Sequence, residues 1–435
     1  MEEVLLNPVL ISVVALCVMS MKRVNVLLSL VISALIAGFC SSMSVSEVMK
    51  IFVSGMGGNT ETALSYILLG TFAAAMVYTR FAKVLAVKTA SAVKENKILL
   101  ISIIAVAACL SQNLIPVHIA FIPILIPPLL NLMNRLKIDR RAVACALTFG
   151  LEAPYIVVPA GYGLIFQKLL YDNLSLNGIQ VNFSEIWKYL SFLGLAMLTG
   201  LLFAVFVSYS KPRTYETQKP DFVLTGKYSK FSKKHYVIIA AAVLTFVVQL
   251  VTGSLPLGAI AGLTLIFATG TINKKKTDSL MNEGVGLMGY IAFVMLAAAG
   301  YAAVINSTGG VGSFVDTFLP FIGSNRLAAA LFTLLTGLIL TLGIGTSFGT
   351  IPVLSVLFVP VCLSAGISNI GTVIVIAAAA ALGDAGSPAS DTTLGPTSGL
   401  NADGKHDHIH DTCIPTFLHF NIPLIIFALI AAVVF

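Results

Sequence analysis

Gly383-Asp384-Ala385-Gly386-Ser387-Pro388-Ala389-Ser390-Asp391-Thr392-Thr393 closes an apolar run that reaches back to Thr372. Such a run reads as a membrane helix, and its end breaks the helix rules twice, with glycines and a proline beside two carboxylates. An acid at the centre of a spanning helix costs about 2.5 to 3.5 kcal/mol, so Asp384 and Asp391 at that depth read as an ion, proton or substrate site. The bland alternative puts Asp391 beyond the helix as a solvated amino-terminal cap. A broken helix also exposes backbone amides and carbonyls, which the bilayer tolerates only where protein, water or solute satisfies them.

The whole chain supports membrane burial. Of 435 residues, 57% are hydrophobic and only 10% are charged, against roughly 25% charged in a water-soluble domain. The mean hydropathy is +0.95. At about 20 residues per crossing this composition supplies on the order of ten spans. The net charge of +7 reads as a topology signal rather than a nucleic-acid footprint. Six dispersed cysteines, Cys17, Cys40, Cys109, Cys145, Cys362 and Cys413, form no C-x-x-C pair, so no disulfide framework or thiolate metal site is expected. Met1-Glu2-Glu3 lacks the basic segment of a secretory signal, and the first apolar run reads as a retained helix.

Apolar runs at 4–21, 24–43 and 62–79 alternate with basic clusters at Lys22-Arg23 and from Arg80 to Lys97. Both clusters read as cytoplasmic, which places the amino terminus outside. Residues 98–134 have basic ends and the polar interruption Ser111-Gln112-Asn113-Leu114-Ile115-Pro116, so they read as a re-entrant hairpin, with two short full crossings as the alternative. A broken helix follows over 142–171, with Gly150-Leu151-Glu152-Ala153-Pro154 as the expected break. An outer loop, 172–185, and a helix over 186–209 complete a first half, 1–209, in which Trp187 reads as an interfacial anchor. Residues 210–235 form a basic cytoplasmic linker.

The second half, 236–435, repeats this order: helices at 236–253, 255–272 and 285–306, a hairpin at 327–366, a broken helix at 371–393, and a last helix at 418–435. Starting inside where the first starts outside, it is inverted. The expected fold is therefore an all-α polytopic membrane protein of two inverted repeats, about ten transmembrane helices plus two re-entrant hairpins, with broken helices at the midplane. This arrangement points to a secondary transporter.

The breaks carry oxygen donors suited to a hard cation such as sodium. Asn113 lies at the first hairpin tip, and Thr346, Ser347 and Thr350 stand among glycines at the second.

Gly-Asp-x-x-Ser-Pro-x-Ser-Asp-Thr-Thr at 383–393, followed by Leu394-Gly395-Pro396-Thr397, resembles the signature of a bacterial sodium/proton antiporter family of the ion transporter superfamily. With Gly404-Lys405-His406-Asp407-His408 and Asp411 to Phe417, the chain is similar to its branch of amino-acid transporters, histidine permeases included. Resemblance extends to Gly57-Gly58-Asn59-Thr60-Glu61-Thr62-Ala63-Leu64-Ser65-Tyr66 and to Gly150–Pro159. It implies a non-enzymatic, cation-driven carrier in the bacterial inner membrane, homodimeric, moving as an elevator. Sodium or protons would be the coupling ion, with no other cofactor. Carried over by position, Asp384, Ser387, Ser390, Asp391, Thr392 and Thr393 form one half of the site, and Asn113 and Glu152 contribute to the other. The first break lacks the Ser-Asp-Thr run, so two equivalent sodium sites are not implied; one position is open to a proton or substrate.

Asn59, Thr60 and Glu61 are further candidates, although a first-turn acid also serves the helix dipole without a function. His118 reads as a buried, hydrogen-bonded histidine before a proton relay. The alternation His406, His408, His410 could hold a metal or sense pH, but plain solvation in a cytoplasmic loop is the simpler reading. The expected activity is cation-coupled transport of a small amino acid such as histidine. A sodium/proton antiporter without organic substrate is the alternative. An intramembrane aspartyl protease is remote, because Ala381 stands where its Gly-x-Gly-Asp motif needs glycine and Asp172 falls in the outer loop. No phosphate-binding G-x-x-x-x-G-K-[ST] loop is present for an ATP-driven pump.

Overall fold

A computed structural model of the chain describes residues 7–22, 24–81, 84, 96–113, 122–215, 231–310, 325–344, 347–388 and 390–435. Among the described residues it is all helical. The elements are α1 Pro8–Met21, α2 Val26–Cys40, α3 Val45–Met56, α4 Thr60–Tyr78, α5 Lys97–Asn113, α6 Arg140–Val157, α7 Tyr162–Leu176 and α8 Ile186–Phe203. They continue as α9 Lys233–Thr252, α10 Leu255–Ala268, α11 Thr277–Ser307, α12 Arg326–Ile344, α13 Ser347–Ser364, α14 Asn369–Ala381, α15 Asp391–Leu400 and α16 Ile422–Val434.

Five continuous helical stretches are long and apolar enough to cross a membrane: Phe183–Ser208, Lys233–Thr252, Met288–Ser307, Ser347–Ser364 and His408–Val434. Two pairs bent by 52° (α3 with α4) and 48° (α6 with α7) raise the number to seven, and five shorter apolar helices accompany them. The expected all-helical membrane architecture with broken helices is what the protein has. Helices as apolar as these expose side chains such as Leu202, Phe203 and Phe206 outward, as lipid requires and water would not.

Packing falls into two groups. In one, α11 lies along α4, α3 and α2, while α10 packs on α9 and α4. In the other, α6 packs on α5, α8 and α15, and α14 is enclosed by α12, α13 and α16. Small residues bring the helices of the second group close: every residue of α14 from Gly371 to Ala381 is buried, and a Cβ added to Gly337 would meet the Ala379 carbonyl at 2.5 Å. Contacts of α11 with α13 and of α1 with α12 join the groups.

Several elements differ from expectation. Helix α7 runs on to Leu176, so Asp172 lies in a helix and not in the expected outer loop. Helix α6 runs through Pro154, and the first break falls later, at 158–161. Val158 is extended (φ −89°, ψ 116°), as the residue before a proline tends to be, and Gly161 adopts φ +56°. The last helical stretch starts at His408 rather than 418, because two π turns, His408–Cys413 and Phe417–Asn421, carry the chain into α16. Helix α3 was not expected; its buried Val48 and Phe52 are spaced four apart on one face instead of forming a run. The hairpin tip Ile115-Pro116-Val117, His118, Thr346 and most of the linker lie outside the described residues.

Candidate functional site

The second break is built by chain geometry. Helix α14 stops when Leu382 turns extended (φ −57°, ψ 133°), and Gly383 and Gly386 follow at φ +85° and +102°, a region that suits glycine. A Cβ at Gly386 would lie 2.5 Å from that of Phe417. Asn421 satisfies the exposed backbone here, accepting from the Gly383 amide at 3.0 Å and donating to the Ala385 carbonyl at 2.8 Å. Ser390 then caps α15 by accepting from the Thr392 amide.

Asp384 sits at the centre of this break. Ser347 Oγ donates to its Oδ2 at 2.5 Å and Tyr155 to the same oxygen at 2.9 Å, while Ser390 Oγ donates to Oδ1. The Ser347 amide approaches at 3.4 Å. Thus the amino ends of two helices, α13 and α15, face one carboxylate, each contributing a partial positive charge of roughly half a unit. Each hydroxyl has one proton, spent on Asp384, so its lone pairs remain as acceptors for a cation. This all-oxygen set fits an alkali ion or a proton and lacks the nitrogen and sulfur ligands of a transition-metal site.

Around the cage, Thr392 Oγ1 donates to the Asp384 carbonyl at 2.8 Å and Thr393 Oγ1 to the Ser387 and Ser390 carbonyls. Ser387 donates to the Leu342 carbonyl at 3.0 Å, tying the break to α12. Thr350 donates to the Ser347 carbonyl and accepts from Thr341, which holds the start of α13. Asp391 is the first residue of α15, partly buried, and its charge is felt at Asp384, Tyr66 and Tyr162. It stands at the edge of the break, at the start of the helix that Ser390 caps.

The first half meets the second across this point. Glu152 is fully buried beside the Ala385 backbone and within reach of the Asp384 charge; neither of its carboxyl oxygens has a partner meeting hydrogen-bond geometry among the described residues. Thr148 Oγ1 donates to the Thr392 carbonyl at 2.8 Å. Asn113 Nδ2 donates to the Pro154 and Val158 carbonyls at 2.9 and 3.0 Å, and its Oδ1 is buried and unpartnered. An aromatic cluster borders the cage, with Tyr155, Phe166 and Phe348 centroids 5.2 to 5.8 Å apart and Tyr66 reaching Phe348 and Tyr162 at 5.6 and 5.4 Å.

Asn59, Thr60 and Glu61 do not join the cage. Asn59 donates to the Met295 carbonyl, Thr60 to the Gly57 carbonyl, and Glu61 pairs with Lys168 at 2.6 Å. They serve the bend between α3 and α4 and its contact with α7. Among the described residues the histidines are not brought into a cluster of three potential metal ligands. His406 meets Thr412 Oγ1 at 2.7 Å, His408 meets Thr397 and the Pro388 carbonyl, and His410 pairs with Asp407. Burial, opposed by Asp411, lowers the His406 pKa from its ordinary 6.5 to about 4.

Tyr155, Thr148 and Asn421 were not foreseen. Tyr155 follows Glu152 by three residues, one helical turn, which was the available signal.

Residues 146–430 match the Na+/H+ antiporter family, and residues 7–93 match a second group described as Na+-H+ antiporter family. A Vibrio parahaemolyticus protein, described as uncharacterized membrane protein VP2115, is 46% identical over 99% of this chain and 100% of its own length. The Bacillus subtilis protein "Putative amino acid transporter YuiF" is also 46% identical, over 99% and 100%. Among solved structures, Neisseria gonorrhoeae MtrF, described with a class of antimetabolite efflux pumps, superposes with TM-score 0.59 at 15% identity over 88% of this chain and 82% of that one. The Alcanivorax borkumensis YdaH transporter gives 0.57 at 15% identity over 90% and 88%. These two likenesses concern the fold.

Proposed function

The chain belongs to the Na+/H+ antiporter family, and from that membership we propose a cation-coupled secondary transporter of a small amino acid such as histidine. The observation that carries the reading is the buried Asp384 carboxylate held by the Tyr155, Ser347 and Ser390 hydroxyls where two helix starts meet a helix break. A buried charge so provided with oxygen, and with no cationic side chain bonded to it among the described residues, suits a sodium ion that arrives and leaves. Hydroxyl lone pairs at the break offer acceptors for a substrate ammonium. The name of the Bacillus relative is consistent with this substrate class.

In this reading the halves 1–209 and 236–435 are inverted repeats joined by 210–235. The group containing α5 to α8 and α12 to α16 slides as an elevator against the group containing α2 to α4 and α9 to α11. The protein works as a homodimer in the bacterial inner membrane with its amino terminus outside. A sodium/proton antiporter without organic substrate is the second reading, favoured by Glu152, a second buried carboxyl that makes no side-chain hydrogen bond among the described residues and so suits a proton.

The test uses purified protein in proteoliposomes. Saturable uptake of radiolabelled histidine or another amino acid that collapses without a sodium gradient supports the symporter. Sodium-evoked proton movement, reported by an internal pH dye and unaccompanied by any amino-acid uptake, replaces it with the antiporter.

A further inference from the structure

At one end of α5 and α8 lies a cleft of about 110 Å³, walled by Lys97, Ile98 and Ile101 from α5, Lys137 to Asp139 from the turn before α6, and Val205, Phe206 and Tyr209 to Lys211 from the end of the α8 stretch. Three lysines, Lys97, Lys137 and Lys211, rim it, all exposed. The only carboxylate in its wall is already occupied: Asp139 pairs with Arg141 at 2.6 Å and lies 3.7 Å from Arg213. None of the three lysines makes an ion pair among the described residues, and Lys97 instead donates to the Ser210 carbonyl at 3.0 Å, bridging two walls. Lys137 is held at φ +50°, where glycine is usual.

Below the lysines the cleft turns apolar. Ile98 and Phe206 are 41% and 53% exposed on the outer faces of apolar helices. A site that is cationic at the end of the spans and apolar toward their middle has the polarity of a phospholipid at the membrane interface. We propose that this cleft binds the headgroup phosphate of an anionic phospholipid, with its acyl chains lying along Ile98, Val205 and Phe206. The cleft volume accommodates a phosphodiester, while the exposed apolar side chains provide what free phosphate would leave uncovered. Because Asp139 also caps α6 by accepting from the Arg141 amide, the occupant would brace the helix that carries Glu152 and Tyr155. The inference is independent of the transported solute.

The test measures the thermal unfolding of the purified full chain in neutral detergent during titration with short-chain phosphatidylglycerol, phosphatidylcholine or inorganic phosphate. Phosphatidylglycerol is expected to stabilise the wild type and the control K233Q/K234Q at the same half-saturating concentration. In K97Q/K137Q/K211Q that concentration should rise at least about tenfold, since each interfacial lysine contributes to anionic-lipid binding. The triple lysine-to-arginine variant keeps the charge and should titrate like the wild type. The proposal is overturned if K97Q/K137Q/K211Q titrates like the wild type, if the control loses its response equally, or if phosphatidylcholine matches phosphatidylglycerol. Full stabilisation by inorganic phosphate alone would also overturn it, assigning a free-anion site instead.

Discussion

Replacing Tyr155 by Phe removes one oxygen from the cage around Asp384 and nothing else. The side chain is buried, with 1% exposure, and its ring is packed 5.2 Å from Phe166 and 5.3 Å from Phe348 between centroids. Phenylalanine keeps that packing, so no cavity opens. What goes is the 2.9 Å bond to Asp384 and the 2.7 Å contact with Ser347. A hydrogen bond to a charged group contributes about 1.5 to 3 kcal/mol, or roughly 10- to 150-fold in an equilibrium constant. Ser347 and Ser390 still hold the carboxylate, which places the expected effect at the lower end. The half-saturating sodium concentration for uptake in proteoliposomes should therefore rise about tenfold, with the maximal rate much less affected. A value within twofold of wild type would show that this hydroxyl takes no part in cation binding and would remove the cage as its basis.

Asp384→Asn should abolish sodium-dependent transport while membrane insertion stays normal; uptake at the wild-type level would exclude Asp384 from the site. Arg140 is fully buried and bonds Asp403 through both nitrogens at 2.7 and 2.5 Å, as well as Leu400 and Asn134. Arg140→Met should cost about 3 kcal/mol in denaturant unfolding, the low end for a broken buried pair, because Asp403 keeps 29% exposure; an unchanged midpoint would refute this. Burial holds His406 neutral down to about pH 4, whereas the unfolded chain takes up that proton near 6.5. Stability is thus lost as pH falls from about 6.5 to about 4, and His406→Gln should flatten the thermal-unfolding profile across that window. Single-cysteine labelling in residues 172–185 and 210–235 should succeed from opposite sides of the membrane, and labelling from one side would overturn the proposed orientation.

The membrane class and the second break were legible in the sequence because both rest on local signals. A charge fraction of 10% admits few soluble folds, and two glycines, a proline and Asp384 inside an apolar run mark a break wherever the rest of the chain goes. The first break was misplaced because Pro154 is the more conspicuous breaker, yet a helix tolerates an internal proline when neighbours satisfy its backbone. Here α6 continues past Pro154 and ends only at Val157, where Asn113, distant in sequence, bonds the Pro154 and Val158 carbonyls. Tyr155 was hidden because an aromatic residue among apolar neighbours looks like core, and only the fold shows its hydroxyl reaching Ser347 from the other half. Glu61 was drawn toward the site by its neighbours, but Lys168, more than 100 positions away, claims it.

Asn113 and Ser347 each tie one helix end to a break in another, but they use different chemistry. The amide of Asn113 grips two carbonyls, and a Cβ at Gly161 would strike the Asn113 carbonyl oxygen at 2.3 Å. That clasp is neutral and tight, and changes of ion or pH give it no reason to open. Ser347 instead holds a carboxylate, so its grip varies with whatever neutralises Asp384. The molecule thus has one neutral fastening and one whose partner carries an ionisable charge, and under the proposed function only the second would answer to a bound cation.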